Sequence, residues 1–322
     1  MKAIEVRTPG GPEVLQLVDF PTPQPKPHEV VVKVTRAGVN FIDVYQREGR
    51  YKVALPFVLG QEGAGEVEAI GTGVETVKIG ERVAWTGVLG SYAERAVIPA
   101  ERLVPVPDGI TDQQAAAAML QGMTAHYLTH DSYPLKRNQT ALVHAAAGGV
   151  GLLLVQMAHN LGARVIGTVS TEEKATLARD AGAEEVIQYT QQDFEVAVRR
   201  ITGNQGVHVV YDGVGKDTFA KGLNVLRRRG MMVLFGGASG AVPPFDPLLL
   251  TQKGSLFLTR PSLVDYIASP DELRMRSKAV FAMIASNQVK LRVERTYKLA
   301  DVPQAHRDLE GRKTTGKLLL LP

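Results

Sequence analysis

The chain has 322 residues, of which 44% are hydrophobic and 22% charged, and its formal net charge is +4. This length predicts about two domains, and the composition is ordinary for a globular protein. There is no cysteine, which excludes disulfides, thiolate zinc sites and a cysteine nucleophile. The chain opens on a predicted strand with no leader peptide, and no apolar run has the length of a membrane span. We therefore expect a cytoplasmic protein.

Residues 1–122 are predicted to be mostly β, with short strands separated by proline and glycine. The most regular strands are Glu29–Thr35, Gly65–Ile70 and Arg82–Trp85. A short helix is predicted over Asn40–Gln46. A longer helix follows Thr111, where Thr111 as N-cap and Gln114 form a capping box.

From residue 123 to 260 the pattern alternates between strand and helix, which favours a doubly wound parallel sheet. The predicted strands are Thr140–Ala145, Arg164–Val169, Glu185–Gln188, Val207–Asp212, Met231–Phe235 and Ser255–Thr259. Glycines are expected to end the helices between them, at Gly162, Gly182, Gly203 and Gly230. The densest basic run, Arg227–Arg229, is then expected at the end of a helix, where cations are favourable.

The segment Ala141–Gly151 predicts a strand, a tight glycine turn and a buried helix. Ala146, Gly148 and Gly151 occupy the three positions of a G-x-G-x-x-G pattern. The N–H groups of Gly149 and Val150 at the start of the helix would then face phosphate groups. Taken alone, the pattern also fits an ordinary turn into a helix.

Residues 261–322 are predicted to hold a helix at Asp271–Ser286, a short helix near Pro303–Glu310 and a final strand at Lys317–Leu321. So short a tail is expected to complete the first domain. The predicted division is therefore 1–122 and 261–322 for one domain and 123–260 for the other.

Four segments together resemble one known family: Ala37–Asp43, His144–Gly151, Tyr211–Gly215 and Thr259–Ser262. The chain resembles the zinc-free NADPH:quinone oxidoreductases of bacterial type, the zeta-crystallin-like branch of the medium-chain dehydrogenase/reductase superfamily. The resemblance implies an α/β fold in which a Rossmann doubly wound parallel sheet is inserted into a GroES-like, mostly-β domain, with NADPH between them.

Two positions differ from the zinc-dependent relatives, which place a cysteine ligand where Asn40 stands and a histidine ligand where Gln61 stands. Amides are poor zinc ligands, so we expect no metal. Without a Lewis acid the chemistry suits an acceptor that takes hydride directly, such as a quinone or a conjugated enone.

The resemblance implies that Asn40, Tyr45 and Tyr51 orient the acceptor. From the residues alone, Asn40 is equally well a helix cap, and a tyrosine is more often a packing residue. The resemblance also implies cofactor contacts at Asn40, Phe41, Ile42, Asp43, Val44, Tyr45, Thr124, Tyr127, Gly148, Gly149, Val150, Ser170, Thr171, Lys174, Tyr189, Gly213, Phe235, Gly236, Gly237, Ala238, Pro261, Ser262, Leu263 and Arg312. His126 and His144 are interpreted as structural, and Arg312 also fits a solvated basic turn.

The strand Arg164–Val169 ends at Ser170, where a Rossmann domain reads the ribose of the cofactor. Ser170 is neutral, Lys174 is a cation one turn later, and Tyr189 follows the next strand, so NADPH is expected rather than NADH. Ser170 also fits the N-cap of the following helix.

Two other functions stay open: an NADPH-dependent reductase of α,β-unsaturated ketones or aldehydes, and an RNA-binding or structural protein that retains the NADPH fold. The sequence has no arginine-glycine or aromatic-stacking module, so a nucleic-acid partner is not expected. The sheet edge at Gly254–Arg260 is expected to form a homodimer, as in relatives.

Overall fold

The computed structural model describes every residue from Met1 to Pro322. The chain divides into two compact units. Unit 1 comprises Met1–Met123, Ile267–Asn287 and Leu291–Pro322, and unit 2 comprises Thr124–Tyr266 and Gln288–Lys290. The division into functional domains at 122/123 and 260/261 stays a prediction. No helix is at once long enough and apolar enough to span a bilayer.

The strands, in chain order, are β1 Lys2–Val6, β2 Gln16–Asp19, β3 Glu29–Val39, β4 Phe57–Val58, β5 Glu62–Ile70, β6 Arg82–Thr86, β7 Arg95–Pro99, β8 Val104–Pro105, β9 Thr140–Val143, β10 Arg164–Val169, β11 Glu185–Gln188, β12 Val207–Asp212, β13 Leu226–Leu234, β14 Phe257–Thr259, β15 Val293–Lys298 and β16 Lys317–Leu321. The α-helices are α1 Phe41–Arg47, α2 Asp112–Tyr127, α3 Gly149–Asn160, α4 Glu172–Asp180, α5 Phe194–Ile201, α6 Phe219–Asn224, α7 Leu248–Gln252, α8 Leu263–Tyr266, α9 Pro270–Ala285 and α10 Val302–Glu310.

Unit 1 is built around β3, which pairs antiparallel with β5, β7 and β16 in a seven-stranded sheet. A second sheet has the order β2-β1-β4. Val30, Val32 and Val34 of β3 are buried in a cluster that contains Trp85 and Tyr92, while Lys33 is exposed. Val31, whose side chain points to the opposite face, is buried as well, so this part of β3 is covered on both faces. The prediction of a mostly-β unit is therefore confirmed.

Unit 2 contains a fully parallel six-stranded sheet in the order β11-β10-β9-β12-β13-β14. The strand order reverses between β9 and β12, and helices connect the strands. This is the doubly wound arrangement, in which ligands bind outside the carboxyl ends of the strands at the reversal point. The predicted fold class is confirmed.

The prediction of a helix end at Arg227–Arg229 is wrong, because these residues lie inside β13. α6 already ends at Asn224, and β13 starts at Leu226 because it pairs with β12. Pairing is irregular beside the arginines, and Arg229 has φ +57°. Gly230 is therefore a strand residue and does not end a helix.

Two helix starts test the capping predictions. Thr111 and Gln114 form the expected capping box, with Gln114 N–H donating to Thr111 Oγ1 at 3.2 Å and Thr111 N–H to Gln114 Oε1 at 2.9 Å. Before α4, however, the cap is Thr171, whose Oγ1 accepts from Lys174 N–H at 3.3 Å. The alternative of Ser170 as the N-cap is wrong by one residue, so its hydroxyl is not used in that cap.

Candidate active site

The turn after β9 has the geometry of a phosphate site. Ala145 has φ +51°, and Gly148 N–H donates to its carbonyl at 2.8 Å before α3 begins. A Cβ added to Gly151 would lie 2.2 Å from that same carbonyl oxygen, so only glycine fits there. Gly149 and Val150 are the first residues of a twelve-residue helix, and their N–H groups have no intrahelical acceptor. This end of α3 therefore favours an anion.

Ser170 and Tyr189 lie side by side at the ends of β10 and β11. Tyr189 N–H donates to Val169 O at 3.0 Å, and Thr190 Oγ1 donates to Ser170 O at 2.8 Å. Lys174 is on the first turn of α4, just beyond. The group therefore combines neutral hydroxyls with the Lys174 cation, which shares the first turn of α4 with Glu172 and Glu173. Hydroxyls and a cation are donors that suit a ribose 2′-phosphate.

The loops after β12 and β13 are held together by main-chain bonds. Asp212 is buried, and its carboxylate accepts from Val214 N–H at 2.7 Å and from Gly215 N–H at 3.0 Å. Phe235 N–H donates to Asp212 O at 2.9 Å. The predicted contacts Gly213 and Phe235–Ala238 therefore form one rigid edge beside the turn after β9. Sequence reasoning missed the role of Asp212 in fixing this edge, although an aspartate at the end of a buried strand and before a glycine is a turn signal.

The predicted contacts at Tyr127 and Pro261–Leu263 are brought together by a ring pair. Tyr127 stacks on Tyr266 with centroids 4.1 Å apart and planes 8° apart, and Ser132 Oγ donates to Tyr266 Oη at 2.8 Å. The stack holds α8, which begins at Leu263, against the end of α2, where Thr124 also lies.

In unit 1, the aromatic residues of α1 cluster with Tyr51. Tyr45 is buried and meets the Tyr51 ring edge-on at 5.4 Å, and the Arg50 guanidinium lies 4.3 Å from the Tyr45 ring centre. Tyr51 is 43% exposed. Phe41 and Ile42 are half-buried. Tyr51 is thus the acceptor-orienting candidate with the most accessible surface, and Tyr45 supports it.

The Asn40 amide is almost fully buried and is bonded within unit 1. Its Nδ2 donates to Glu62 Oε2 at 2.8 Å, and its Oδ1 accepts from Lys317 Nζ at 2.7 Å and from Gln121 Nε2 at 3.3 Å. Asn40 also precedes α1 as N-cap, with its main-chain N–H bonded to Asp43 at 2.8 Å. Sequence reasoning missed Glu62, Gln121 and Lys317. Of these, only Glu62 carried a signal, since it stands beside Gln61.

Asp43 has a setting that the sequence did not predict. Its carboxylate is fully buried, and Oδ2 accepts from Tyr92 Oη at 2.8 Å while Oδ1 has no partner. Burial raises the pKa of Asp43 to about 7, against the opposing hydrogen bonds from Tyr92 and Asn40. The side chains of Asp43 and of buried Val44 face the interior of unit 1, so these residues can offer a cofactor only main-chain atoms.

The two histidines interpreted as structural are buried. His144 Nδ1 pairs with Thr168 Oγ1 at 2.9 Å, and burial lowers the pKa of His144. Its Nε2 has no partner, so this core histidine is only half satisfied. His126 stacks on His130 at 4.2 Å. Arg312 is exposed with φ +55°, and its cofactor contact stays a prediction.

No three His, Cys, Asp or Glu side chains of the chain come close enough together to hold a metal ion. Asn40 and Gln61 are both buried. The expectation of a metal-free reaction stays a prediction.

Comparison with known proteins identifies the family. Residues 26–108 match the alcohol dehydrogenase GroES-like domain, and residues 149–268 match the family described as zinc-binding dehydrogenase. A quinone oxidoreductase of Pseudomonas aeruginosa is 46% identical over 100% of this chain and 99% of its own. The chain belongs to the quinone oxidoreductase family. That family lies within the medium-chain dehydrogenase/reductase superfamily, as the resemblance implied.

Two further members of the superfamily are informative about the site. The structure of Escherichia coli quinone oxidoreductase complexed with NADPH is 45% identical to this chain, has a TM-score of 0.98 and is covered completely by it. A 2-haloacrylate reductase of Burkholderia is 42% identical over 99% of this chain and 98% of its own. The fold therefore accommodates NADPH in one relative, and the named relatives reduce more than one kind of acceptor.

Proposed function

We propose that this quinone oxidoreductase family member reduces quinones with NADPH. The observation that supports this most is the full-length similarity to a quinone oxidoreductase that was crystallised with NADPH. The residues of this chain fit that cofactor. The start of α3 suits the diphosphate, and Ser170 with Lys174 suits the 2′-phosphate.

The chain's own contribution is positioning. NADPH would supply a hydride to the acceptor when bound, and the residues of this chain would position the cofactor and the acceptor. The edge formed by Gly213 and Phe235–Ala238 gives a rigid surface for the cofactor, and Tyr51 with Tyr45 orients the acceptor. We assign no strong acid or base to the reaction.

The 2-haloacrylate reductase relative favours a second candidate acceptor, a conjugated acid or enone. Steady-state oxidation of NADPH with a panel of quinones, enones and 2-haloacrylates separates the two candidates. We expect kcat/KM to be at least ten-fold higher for the best quinone. A haloacrylate or enone that exceeds every quinone would show that the alternative is correct.

We also propose that the protein forms a homodimer through β14. This strand is the edge of the parallel sheet, and Phe257 on it is 55% exposed. An unpaired edge with an exposed aromatic residue is a ready pairing surface. Light scattering should give twice the chain mass, and Leu258→Pro should give the monomer. The cytoplasmic location stays a prediction.

A further inference from the structure

A buried ion pair lies in unit 1 behind the start of α1. Lys317 Nζ is 2.5 Å from Glu62 Oε2, and the two side chains are 2% and 0% exposed. Lys317 is the first residue of β16, and Glu62 is the first residue of β5. A buried ion pair is a costly way to stabilise a fold, since apolar residues of similar size often serve better. A role other than stabilising the fold therefore has to be considered for this ion pair.

Glu62 is fitted closely against α2. Its Oε1 accepts from Leu120 N–H at 2.6 Å, in the middle of that helix. A Cβ added to Gly38 would lie 2.2 Å from Glu62 Oε2, so the glycine makes room for the carboxylate. The carboxylate consequently has little freedom to move, and it presents Oε2 to both Lys317 and Asn40.

The ion pair fixes which way the Asn40 amide points. An ammonium has only donors and a carboxylate has only acceptors. The amide oxygen must therefore face Lys317, and the amide nitrogen must face Glu62. Turning the amide over would place donor against donor and acceptor against acceptor. Gln121 of α2 also donates to the oxygen, which supports the same orientation.

We propose that Lys317 and Glu62 are positioning residues for hydride transfer. They hold the Asn40 amide in a single orientation, and with it the first turn of α1 that leads to Tyr45. This inference rests on the proposed quinone reductase function. It assigns a task to a lysine 255 residues away from its partner in sequence.

Three titratable side chains lie close to Glu62. Lys317 comes from β16, Asp43 from α1, and Tyr92 from the segment before β7. Burial is the main reason that the pKa values of Asp43 and Tyr92 are raised; the charge of Glu62 raises both further, whereas the charge of Lys317 lowers the pKa of Asp43. A substitution of Lys317 or Glu62 therefore also alters the charges around Asp43, and the experiment must separate the two effects.

The first test is Lys317→Met. It leaves Glu62 as a buried carboxyl group without its cation, and burial without a counter-charge favours the protonated form. A protonated Glu62 offers a donor where Asn40 Nδ2 needs an acceptor. We expect kcat for quinone reduction to fall at least ten-fold at pH 6 and to recover as pH rises. The Kd for NADPH should change by a smaller factor than kcat, because the phosphate-binding residues are in unit 2 and only the predicted cofactor contacts of Asn40 and α1 are affected. Lys298→Met, an exposed lysine of β15, is the control and should keep the wild-type profile.

The second variant is Glu62→Gln combined with Lys317→Met, which removes both charges and leaves no unpaired ion. We expect kcat to be at least ten-fold lower than in the wild type at every pH. The recovery with rising pH expected for Lys317→Met should be absent, because the glutamine cannot ionise. If Lys317→Met does not fold, the double variant decides alone, and wild-type kcat in it overturns the proposal. A folded Lys317→Met variant with the wild-type pH profile of kcat also overturns the proposal. A loss of kcat at low pH that persists in the double variant overturns it too, because that loss would then come from Asp43. A wild-type protein that reduces no quinone overturns the proposed function instead.

Discussion

Replacing Asp43 by asparagine is expected to change how the stability of unit 1 depends on pH. Asp43 is fully buried, and its Oδ1 has no hydrogen-bond partner. Burial raises its pKa from 3.8 to about 7 in the folded protein. The proton then resides on Oδ1, since Oδ2 already accepts from Tyr92 and from the main chain of Asn40. Asparagine has the same shape as this protonated form and cannot ionise.

The sign follows from the two states of the carboxyl. Between pH 4 and 7 the folded protein keeps the proton and the unfolded chain loses it, so stability falls as pH rises. The contribution of Asp43 is fully present below its unfolded pKa and is lost as pH rises through about 7. A shift of about 3 pKa units corresponds to about 4 kcal/mol, at about 1.4 kcal/mol per pH unit.

His306 opposes this dependence in the wild type. Burial, helped by the Arg47 guanidinium, lowers the pKa of His306 from 6.5 to about 3. Arg47 Nη1 donates to His306 Nδ1 at 3.1 Å, so that nitrogen is the acceptor. The stability from His306 is present above pH 6.5 and is lost as pH falls toward 3. Between pH 4 and 6.5 the two slopes therefore offset each other.

Urea unfolding of the wild type and of Asp43→Asn from pH 4.5 to 8 measures the effect. The stability of the variant relative to the wild type should increase by about 1.4 kcal/mol per pH unit up to pH 7, and then level off. Asp108→Asn, an exposed aspartate of unit 1, is the control and should give a constant difference. A constant difference for Asp43→Asn would refute the reasoning, because the carboxylate would then be ionised in the folded state.

Three further predictions concern the site. Asn40→Ala should lower kcat several-fold and the free energy of unfolding by about 1–3 kcal/mol, because Glu62 and Lys317 lose a partner; unchanged kinetics for every acceptor would leave Asn40 a helix cap alone. Ser170→Asp with Lys174→Ala should invert or abolish a preference for NADPH of about ten- to a hundred-fold, measured by calorimetry with both nucleotides; a variant that still prefers NADPH would place the 2′-phosphate elsewhere. Treatment with a chelator should leave turnover unchanged, and loss of turnover that zinc restores would contradict the metal-free prediction.

The sequence predicted the elements whose signals are local. The alternation of strand and helix segments, with glycines at the helix ends, located β10, β11 and β12, and the glycine turn located the start of α3, because each signal depends on neighbours along the chain. The helix predicted at Arg227–Arg229 failed for the opposite reason. Leu226 and Met231, on either side of the arginines, pair with β12, and this pairing makes the segment part of a strand. No local sequence signal indicates such pairing.

The candidate site was predictable only at its turns. Gly148 and Ser170 lie in the turns that follow β9 and β10, where their positions follow from the parallel sheet. Lys317 and Glu62 are 255 residues apart, and their pairing depends on how β16, β3 and β5 lie side by side. The burial of Asp43 depends likewise on Tyr92, which reaches it from a distant segment. Contacts of this kind are set by tertiary packing and leave no pattern in a single sequence.

The most direct test of the proposed function is an anaerobic reaction of the purified protein with NADPH and 1,4-benzoquinone, followed at 340 nm with the quinone products quantified. We predict that NADPH is lost at a rate proportional to protein concentration, with reduced quinone formed in step, and that NADH gives a lower rate. No protein-dependent loss of NADPH with this or any other quinone would contradict the account.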